Sequence, residues 1–570
     1  MHLVDSVGKC SRIGYVCNLH EQACAIAADA YGQYTNRFGA ALVTTGPGST
    51  NALTGVAAAW LDSTPCIFLS GQVKRADVVG SRGVRQMGFQ EIDIVSMVRP
   101  ITKYAVTVME PAGIRYHMEK ALFEARHGRP GPVWLDIPLD VQAAQVDPEL
   151  MSGLTHWAMR NRINYAQLQE DACQAIELIN GARRPIMLVG NGVRLAGGLE
   201  ELRECIKLLQ IPVLTTWKAM DLLPEEHPLY VGRPGSVGQR GANFALQNSD
   251  CLLSIGARLD YGQTGYNRET FAPLARKIIV DIDAAEIAKL STVDVSAATD
   301  ARAFLAEVIE QKDRIESKDR SAWMSQVKRW RERYPVVLLE YWDQREYVNN
   351  YVFIQVLGEE MKEGDLLIPG SSGACSEITM QAFRVKEGMR IFNSEGLGPM
   401  GFGIAASIGG CLASGRQRTV CIEGDGGFHM NCQELETIRR LNLPIKIFVL
   451  NNNGYGSIRA TQRNYFDGRL VGCDPSSGLT LPDISAISTA YDLRASRICN
   501  HTYLRAIIRR VLDAEGPVVC EVMISPEQYT APKVSSTQRP DGSMVSNPLE
   551  DMWPFLEPEE IKENMAMESV

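Results

Sequence analysis

Glu423-Gly424-Asp425-Gly426-Gly427 follows one short apolar run, Val420 to Ile422, and Asn451-Asn452-Asn453 follows another, Ile445 to Leu450. Between them, Glu434 to Leu441 has the pattern of a crossover helix. The two runs are therefore expected to be neighbouring parallel strands of an open sheet, with their carboxyl ends side by side. Asp425 and Asn452 would then converge as hard oxygen ligands on one Mg2+, while the glycines let backbone approach a diphosphate. Magnesium is commonly held in this way, by one or two protein oxygens and phosphate, rather than by an all-protein cage. A glycine-rich turn and an unrelated Asn run would account for each half alone; the strand–helix–strand spacing is what joins them.

Outward from this stretch the same grammar repeats. The chain has 570 residues, too long for one core, and about 150 residues per domain gives three or four. Short β-branched runs alternate with helical patterns from Tyr15 to Ile137, again from Pro185, and again from Tyr351 to Ile524, as in βαβ units. The predicted fold class is α/β, with three doubly wound parallel-sheet domains. Their predicted limits are 1–142, 167–325 and 345–530, with a linker over 143–166 and a tail over 531–570. Strands are expected at Ala40 to Val43, Cys66 to Ser70, Pro185 to Val189, Ile211 to Thr215, Cys251 to Ile255 and Lys277 to Ile282. The third domain adds Leu366 to Ile368, Arg390 to Asn393, Thr419 to Ile422, Ile445 to Leu450 and Val518 to Met523. Tyr15 to Cys17 reads as a further strand before an Ala-rich helix that starts near Glu21. The charged stretch Glu310 to Arg333 reads as a solvated helix and second linker.

A net charge of −9 and the lack of any long Lys/Arg block argue against a nucleic-acid partner. The fourteen cysteines form no CxxC pair, and many sit inside apolar runs, so they read as small buried hydrophobes of a reducing compartment. Gly396 to Gly415 is uncharged, but seven of its residues are glycine, so it reads as a loop entering a buried helix rather than a membrane span. No signal peptide is recognised at the start, and a cytoplasmic location is expected.

Several further segments carry a resemblance. They are Asn18-Leu19-His20-Glu21-Gln22-Ala23, Thr44-Thr45-Gly46-Pro47-Gly48-Ser49, Leu61-Asp62-Ser63-Thr64-Pro65, Gln86-Met87-Gly88-Phe89-Gln90-Glu91, Gly128-Arg129-Pro130-Gly131-Pro132 and Gly396-Leu397-Gly398-Pro399-Met400-Gly401. With the Gly-Asp-Gly and Asn-Asn signature they resemble the thiamin diphosphate enzymes, and the acetolactate synthase family in particular, over nearly the whole chain. The resemblance implies a pyrimidine-binding domain, a central domain and a pyrophosphate-binding domain. It also implies Mg2+ on Asp425, Asn452 and the carbonyl of Gly454, and diphosphate against Gly424, Gly426 and Gly427. Glu21 would be the carboxyl beside the aminopyrimidine; in isolation it reads as an ordinary first-turn residue. Met400, in the loop with Gly398, matches the bulky residue that keeps the cofactor bent, although a plain core methionine fits the sequence equally well, and Met430 would line the same pocket. Phe89 and Gln90 match substrate-facing positions contributed by the neighbouring subunit. The site would be built across a homodimer, alone or within a homotetramer. Family members usually begin with a strand and Gly-rich loop ahead of the segment that opens this chain, so either a truncated start or a first domain short of one strand is expected.

The implied reaction is decarboxylation of a 2-oxo acid such as pyruvate, with transfer of the two-carbon unit to an acceptor carbonyl such as a second 2-oxo acid. Two departures bear on the acceptor: Leu139 stands where acetolactate synthases have a lysine, and Thr461 where they have a tryptophan. Thr461, with Ser457 and Arg459 nearby, suggests a wider and more polar pocket. Asn18 to Cys24 and Asn547-Pro548-Leu549-Glu550-Asp551-Met552 resemble a subgroup of surface-sugar biosynthesis, so a nucleotide-linked keto-sugar is the alternative acceptor. Gly190-Asn191-Gly192, Arg258 and Asp283 match segments that hold a structural FAD, with Gly262 where the family has a second arginine; an empty or nucleotide-filled cleft is the other possibility. A rival of another class is an NAD-dependent oxidoreductase, because Gly398, Gly401 and the preceding Gly396 form a dinucleotide fingerprint, with Glu423 to meet a ribose.

Overall fold

The computed structural model describes residues 1–154, 163–371 and 373–566. Residues 155–162 of the linker expected over 143–166, and residues 567–570 of the tail, lie outside the described residues.

Three parallel sheets succeed one another along the chain. The first contains β1 (Gly39–Val43), β2 (Cys66–Gln72), β3 (Tyr104–Thr107) and β4 (Pro132–Pro138), in the order β1-β2-β4-β3. The second contains β5 (Pro185–Val189), β6 (Val213–Thr215), β7 (Tyr230–Gly232), β8 (Cys251–Ile255), β9 (Arg276–Asp281) and β10 (Val295–Ala298), in the order β10-β9-β8-β5-β6-β7. The third contains β11 (Leu366–Pro369), β12 (Arg390–Ile391), β13 (Thr419–Gly424), β14 (Ile445–Asn451), β15 (Arg494–Ile498) and β16 (Val518–Met523), in the order β12-β11-β13-β14-β16-β15. The central strands β5, β8 and β11 are buried at every position, as near-continuous apolar runs in a parallel sheet must be.

Of the strands not expected from the sequence, β3, β7, β10 and β15 are each the last strand at one edge of its sheet, whereas β4 lies inside the first sheet and is buried at every position. β15, Arg494-Ala495-Ser496-Arg497-Ile498, buries only its final residue, so it never had to be an apolar run. The strand expected at Tyr15 to Cys17 does not form; Tyr15 and Leu19 are exposed, and no neighbouring strand pairs with the segment. The solvated helix expected within Glu310 to Arg333 is instead a packed one. Ser321–Arg333 buries Trp323, Val327 and Trp330, spaced along one helical face, and Trp330 donates from Nε1 to Oδ1 of Asn564 in the tail at 2.8 Å. The tail closes over the central domain: Asn243 donates to the Leu549 carbonyl at 2.8 Å and Arg240 to that of Pro554 at 2.6 Å.

The first and third domains meet on one Ala-rich helix, Glu21–Thr35. One side of it packs Ala25 and Ala28 among Ala52, Val56 and Ala59, while another packs Ala23, Ile26 and Ala30 against Phe402, Ala405 and Ala406. Phe402–Ala413 is the buried helix expected after the glycine-rich loop. Small residues let the two helices touch backbone to side chain, and a methyl added at Gly409 would stand 2.0 Å from the Ala27 carbonyl oxygen. Polar clamps hold the central domain to both. Lys218 Nζ donates to Gln33 Oε1 at 2.8 Å and to the Asn393 carbonyl at 2.9 Å, and pairs with Asp62 at 3.1 Å. Asp221 is buried between Arg194 and Arg390, at 2.7 and 2.8 Å. Burial alone would raise its carboxyl, but the two guanidinium groups hold it below the usual carboxylate range.

Gly409→Ala is expected to lose about 2 kcal/mol of stability through overpacking against backbone that cannot yield, read as a lower urea midpoint. Gly8→Ala, whose methyl would have nothing within 4 Å, is the control and should be neutral or slightly stabilising.

Candidate diphosphate and metal site

β13 and β14 pair with Glu423 opposite Val449 and Gly424 opposite Leu450. Asp425 therefore leaves its strand level with Asn451, one residue before Asn452. Asp425 is only 4% exposed; its Oδ2 accepts from Gly454 N at 2.9 Å and its Oδ1 from Gly426 N at 2.8 Å. Burial pushes this carboxyl up to about 6, against the pull of those N–H donors and of Arg459. Beside it, Asn452 Oδ1 is buried with no hydrogen-bond partner among the described residues. Leaving a buried acceptor unsatisfied costs roughly 1–3 kcal/mol, and a divalent cation between Asn452 and Asp425 would satisfy the amide and favour the ionised acid together. The residues present fit Mg2+.

The glycines around this point are required by contact. A methyl on Gly426 would come within 2.4 Å of the Tyr455 ring and 3.0 Å of Met400 Cε, and one on Gly427 within 2.3 Å of Glu423 Oε1. Glu423 is buried, accepts from Gly403 N at 2.8 Å and Gly424 N at 3.2 Å, and is pushed up to about 7 by burial. It braces the cradle from beneath and occupies the start of Phe402–Ala413, the helix end where the dinucleotide reading would seat a pyrophosphate. A ribose cannot reach Glu423 at 1% exposure. The loop leaving β11 also lines the cradle, with Cys375 Sγ 3.5 Å from where a Gly424 methyl would be. Sequence reasoning passed over this loop, although Gly370-Ser371-Ser372-Gly373 directly after an apolar run was a turn signal.

The loop containing Gly398 and Met400 reaches the residues after Asp425. Asn431 Nδ2 donates to the Gly401 carbonyl at 2.9 Å and to Gln22 Oε1 at 3.4 Å, while Met430, 46% exposed, packs beside Gly401. Within one chain, then, the start of helix Glu21–Thr35 lies against the stretch from Asn431 to Glu434, which follows the Asp425 segment. Glu434 reinforces the contact by accepting from Leu19 N, His20 N and Asn18 Nδ2 at 2.9–3.0 Å. Glu21 Oε2 accepts from Asn51 at 3.1 Å, and Gly48 leaves the space over Oε1 clear, since a methyl there would sit 3.2 Å away. Phe89 is 85% exposed; Gln90 has a positive φ of 62° and rests its carbonyl against Gly46.

A separate cleft of about 810 Å³ opens between the first and central domains. It lies at the carboxyl ends of β5 and β8, where the strand order of the second sheet reverses, the usual ligand crevice of such sheets. Gly192 and Gly256 touch backbone to backbone there. Arg258 lines the cleft and donates to the Leu61 carbonyl at 2.9 Å. Asp283 accepts from Arg129 at 3.2 Å and caps Ala285 N at 3.0 Å. Lys218 and Glu395 line the cleft as well, without any motif to announce them.

Helix Gly456–Tyr465 follows the Asn-rich turn. Ser457 and Thr461 are exposed on it, but Arg459 is not part of an open polar pocket. At 2% exposure its guanidinium donates to the carbonyls of Asn452, Asn453 and Pro526 at 3.0–3.3 Å. It holds the Asn452–Gly454 turn to the segment after β16. Arg459→Met is expected to weaken Mg2+ binding about tenfold by loosening that turn, with Arg459→Lys failing to restore it because three carbonyls need a fork of donors. Calorimetric titration of Mg2+ into protein supplied with thiamin diphosphate measures both.

Residues 1–97 match the thiamine pyrophosphate enzyme N-terminal TPP binding domain, 173–308 the central domain and 371–522 the C-terminal TPP binding domain. The acetolactate synthase large subunit of Cyanidium caldarium is 31% identical, over 90% of this chain and 87% of its own length. The probable acetolactate synthase large subunit of Methanococcus aeolicus is 34% identical, over 89% and 85%. That of Lactococcus lactis is 31% identical, over 93% and 89%. Three parallel-sheet domains in this order, with likeness running through all of them, place the chain among the thiamine pyrophosphate enzymes, as a member of the acetolactate synthase type.

Proposed function

We propose that the protein decarboxylates a 2-oxo acid such as pyruvate and joins the two-carbon unit to an acceptor carbonyl, using Mg2+ with its thiamin diphosphate. The observation that carries the metal assignment is the unpartnered, buried Asn452 Oδ1 beside the buried Asp425 carboxyl. When bound, thiamin diphosphate supplies the electron sink for loss of CO2. Asp425, Asn452 and the Gly454 carbonyl would hold the ion, and the Gly424 to Gly427 backbone would face the diphosphate. Glu21, oriented by Asn51, would exchange a proton with the aminopyrimidine through Oε1. Met400 and Met430 would wall the space between these groups and keep water out.

The proposed assembly is a homodimer or homotetramer in which Phe89 and Gln90 enter a neighbour's site. Supporting this are the exposed apolar side chains Tyr15, Leu19, Met87 and Phe89 on the first domain and Leu397 and Met430 on the third. A keto-sugar acceptor is a second reading, favoured by the exposed hydroxyl side chains of Ser457 and Thr461 beside the metal turn.

FAD is proposed for the central cleft, with the Gly190 to Gly192 and Gly256 backbone at its diphosphate. The buried, unpartnered Gln263 Oε1 on the cleft wall offers one further polar contact.

Removal of thiamin diphosphate and Mg2+ by gel filtration with chelator should abolish CO2 release from pyruvate and their return should restore it. Glu21→Gln should lower turnover by about 10²- to 10⁴-fold with cofactor affinity nearly intact. Release surviving the first treatment, or unchanged turnover in the variant, refutes the assignment. Gently purified protein is expected to show flavin absorbance, and colourless protein would remove FAD from the proposal.

A further inference from the structure

Three oxygen-bearing side chains from three separate segments meet at one point beside the Asn452–Gly454 turn. Measured from where a methyl on Gly373 would lie, Glu377 Oε2 is 3.2 Å away, Thr530 Oγ1 3.2 Å and Ser457 Oγ 3.7 Å. Gly373 follows β11, Ser457 follows β14 and Thr530 follows β16, so the three flank β13 and its Asp425 in the sheet order β11-β13-β14-β16. Ser457 adjoins Gly456, whose added methyl would stand 2.6 Å from Asn452 Nδ2, and Gly373 is two residues from Cys375 at the diphosphate cradle. The cluster therefore lies at the mouth of the proposed site.

None of the three side chains is bonded to another group of the chain among the described residues: Glu377 has no ion-pair partner, and neither hydroxyl has a hydrogen-bond partner. The two arginines of the adjoining helix are already committed, Arg459 to backbone carbonyls and Arg463 to Glu527. A carboxylate entering here meets the Glu377 carboxylate, a like charge. A hydroxyl group finds one strong acceptor and two groups that both donate and accept.

We propose that Glu377, Ser457 and Thr530 form an acceptor subsite that takes the hydroxyl groups of a neutral, hydroxyl-bearing carbonyl compound in preference to the carboxylate of a second 2-oxo acid. The inference rests on the two-carbon transfer proposed above. In the net reaction the C1–C2 bond of the donor breaks with loss of CO2, and a bond forms between donor C2 and the acceptor carbonyl carbon. The acceptor oxygen takes up one proton, and no oxidant or reductant is consumed.

The test uses full-length protein with thiamin diphosphate, Mg2+ and pyruvate, and compares D-glyceraldehyde with 2-oxobutyrate as acceptor. The wild type is expected to favour D-glyceraldehyde in kcat/KM. Glu377→Gln and, independently, the surface change Ser457→Ala should each lower that preference about tenfold, mainly through the KM for D-glyceraldehyde. A wild type that favours 2-oxobutyrate, or variants that keep the wild-type ratio, overturn the subsite. Failure of the wild type to release CO2 from pyruvate would instead sink the proposed reaction. Calorimetry of the two compounds on the same protein then decides the subsite: binding of D-glyceraldehyde alone, weakened in Glu377→Gln, sustains it, and equal or absent binding overturns it.

Discussion

The register between β13 and β14 is the constraint on which the site depends. Because side chains alternate across a strand, slipping one strand by a single residue would turn its carboxyl-terminal side chains to the other face. With Gly424 fixed opposite Leu450, an acid and an amide emerge together at the carboxyl ends of two adjacent strands. The hydrogen bond from Gly454 N to Asp425 then locks the two turns to each other. The cost is visible in Asp425 and Glu423, both buried carboxyls pushed well above their usual range. Those groups are tolerated because backbone N–H donors meet them.

Bringing the first domain to that edge is a matter of residue size. Helix Glu21–Thr35 has alanines on both contact faces, and its partner has glycine where the backbones cross. Polar links add to this close packing at the helix start, where Glu434 caps three donors, and at the Lys218 and Asp221 clamps. The position of Glu21 is thus set by alanines of its own helix and a glycine of the facing one, none of which has any chemistry of its own.

Sequence alone made much of the interior of the second and third sheets legible, since β5, β8 and β16 were bounded to the residue by their apolar runs, while the buried β4 of the first sheet was missed. It could not make the edges legible: β3, β7, β10 and β15 are half-exposed or short, and they exist because a neighbour offers them hydrogen bonds. The same blindness explains Ser321–Arg333, whose charges dominated the pattern while Trp323, Val327 and Trp330 carried its burial. In the candidate site, Asp425, Asn452 and the glycines stood out in the sequence because ion and phosphate chemistry restricts residue type at fixed spacing. Glu377, Thr530 and the committed state of Arg459 did not, because convergence of side chains from β11, β14 and β16 is a property of the fold rather than of any one segment.

Arg459 has a consequence for how the two ends of the third domain behave. One guanidinium joins the turn at Asn452 and Asn453 to the carbonyl of Pro526, and the chain beyond Pro526 runs through Thr530 to the strands and helix that cover the central domain. One buried side chain thus ties the Asn452–Asn453 turn to the segment that leads into the tail, so the chain's last stretch is anchored at the turn as well as on the central domain.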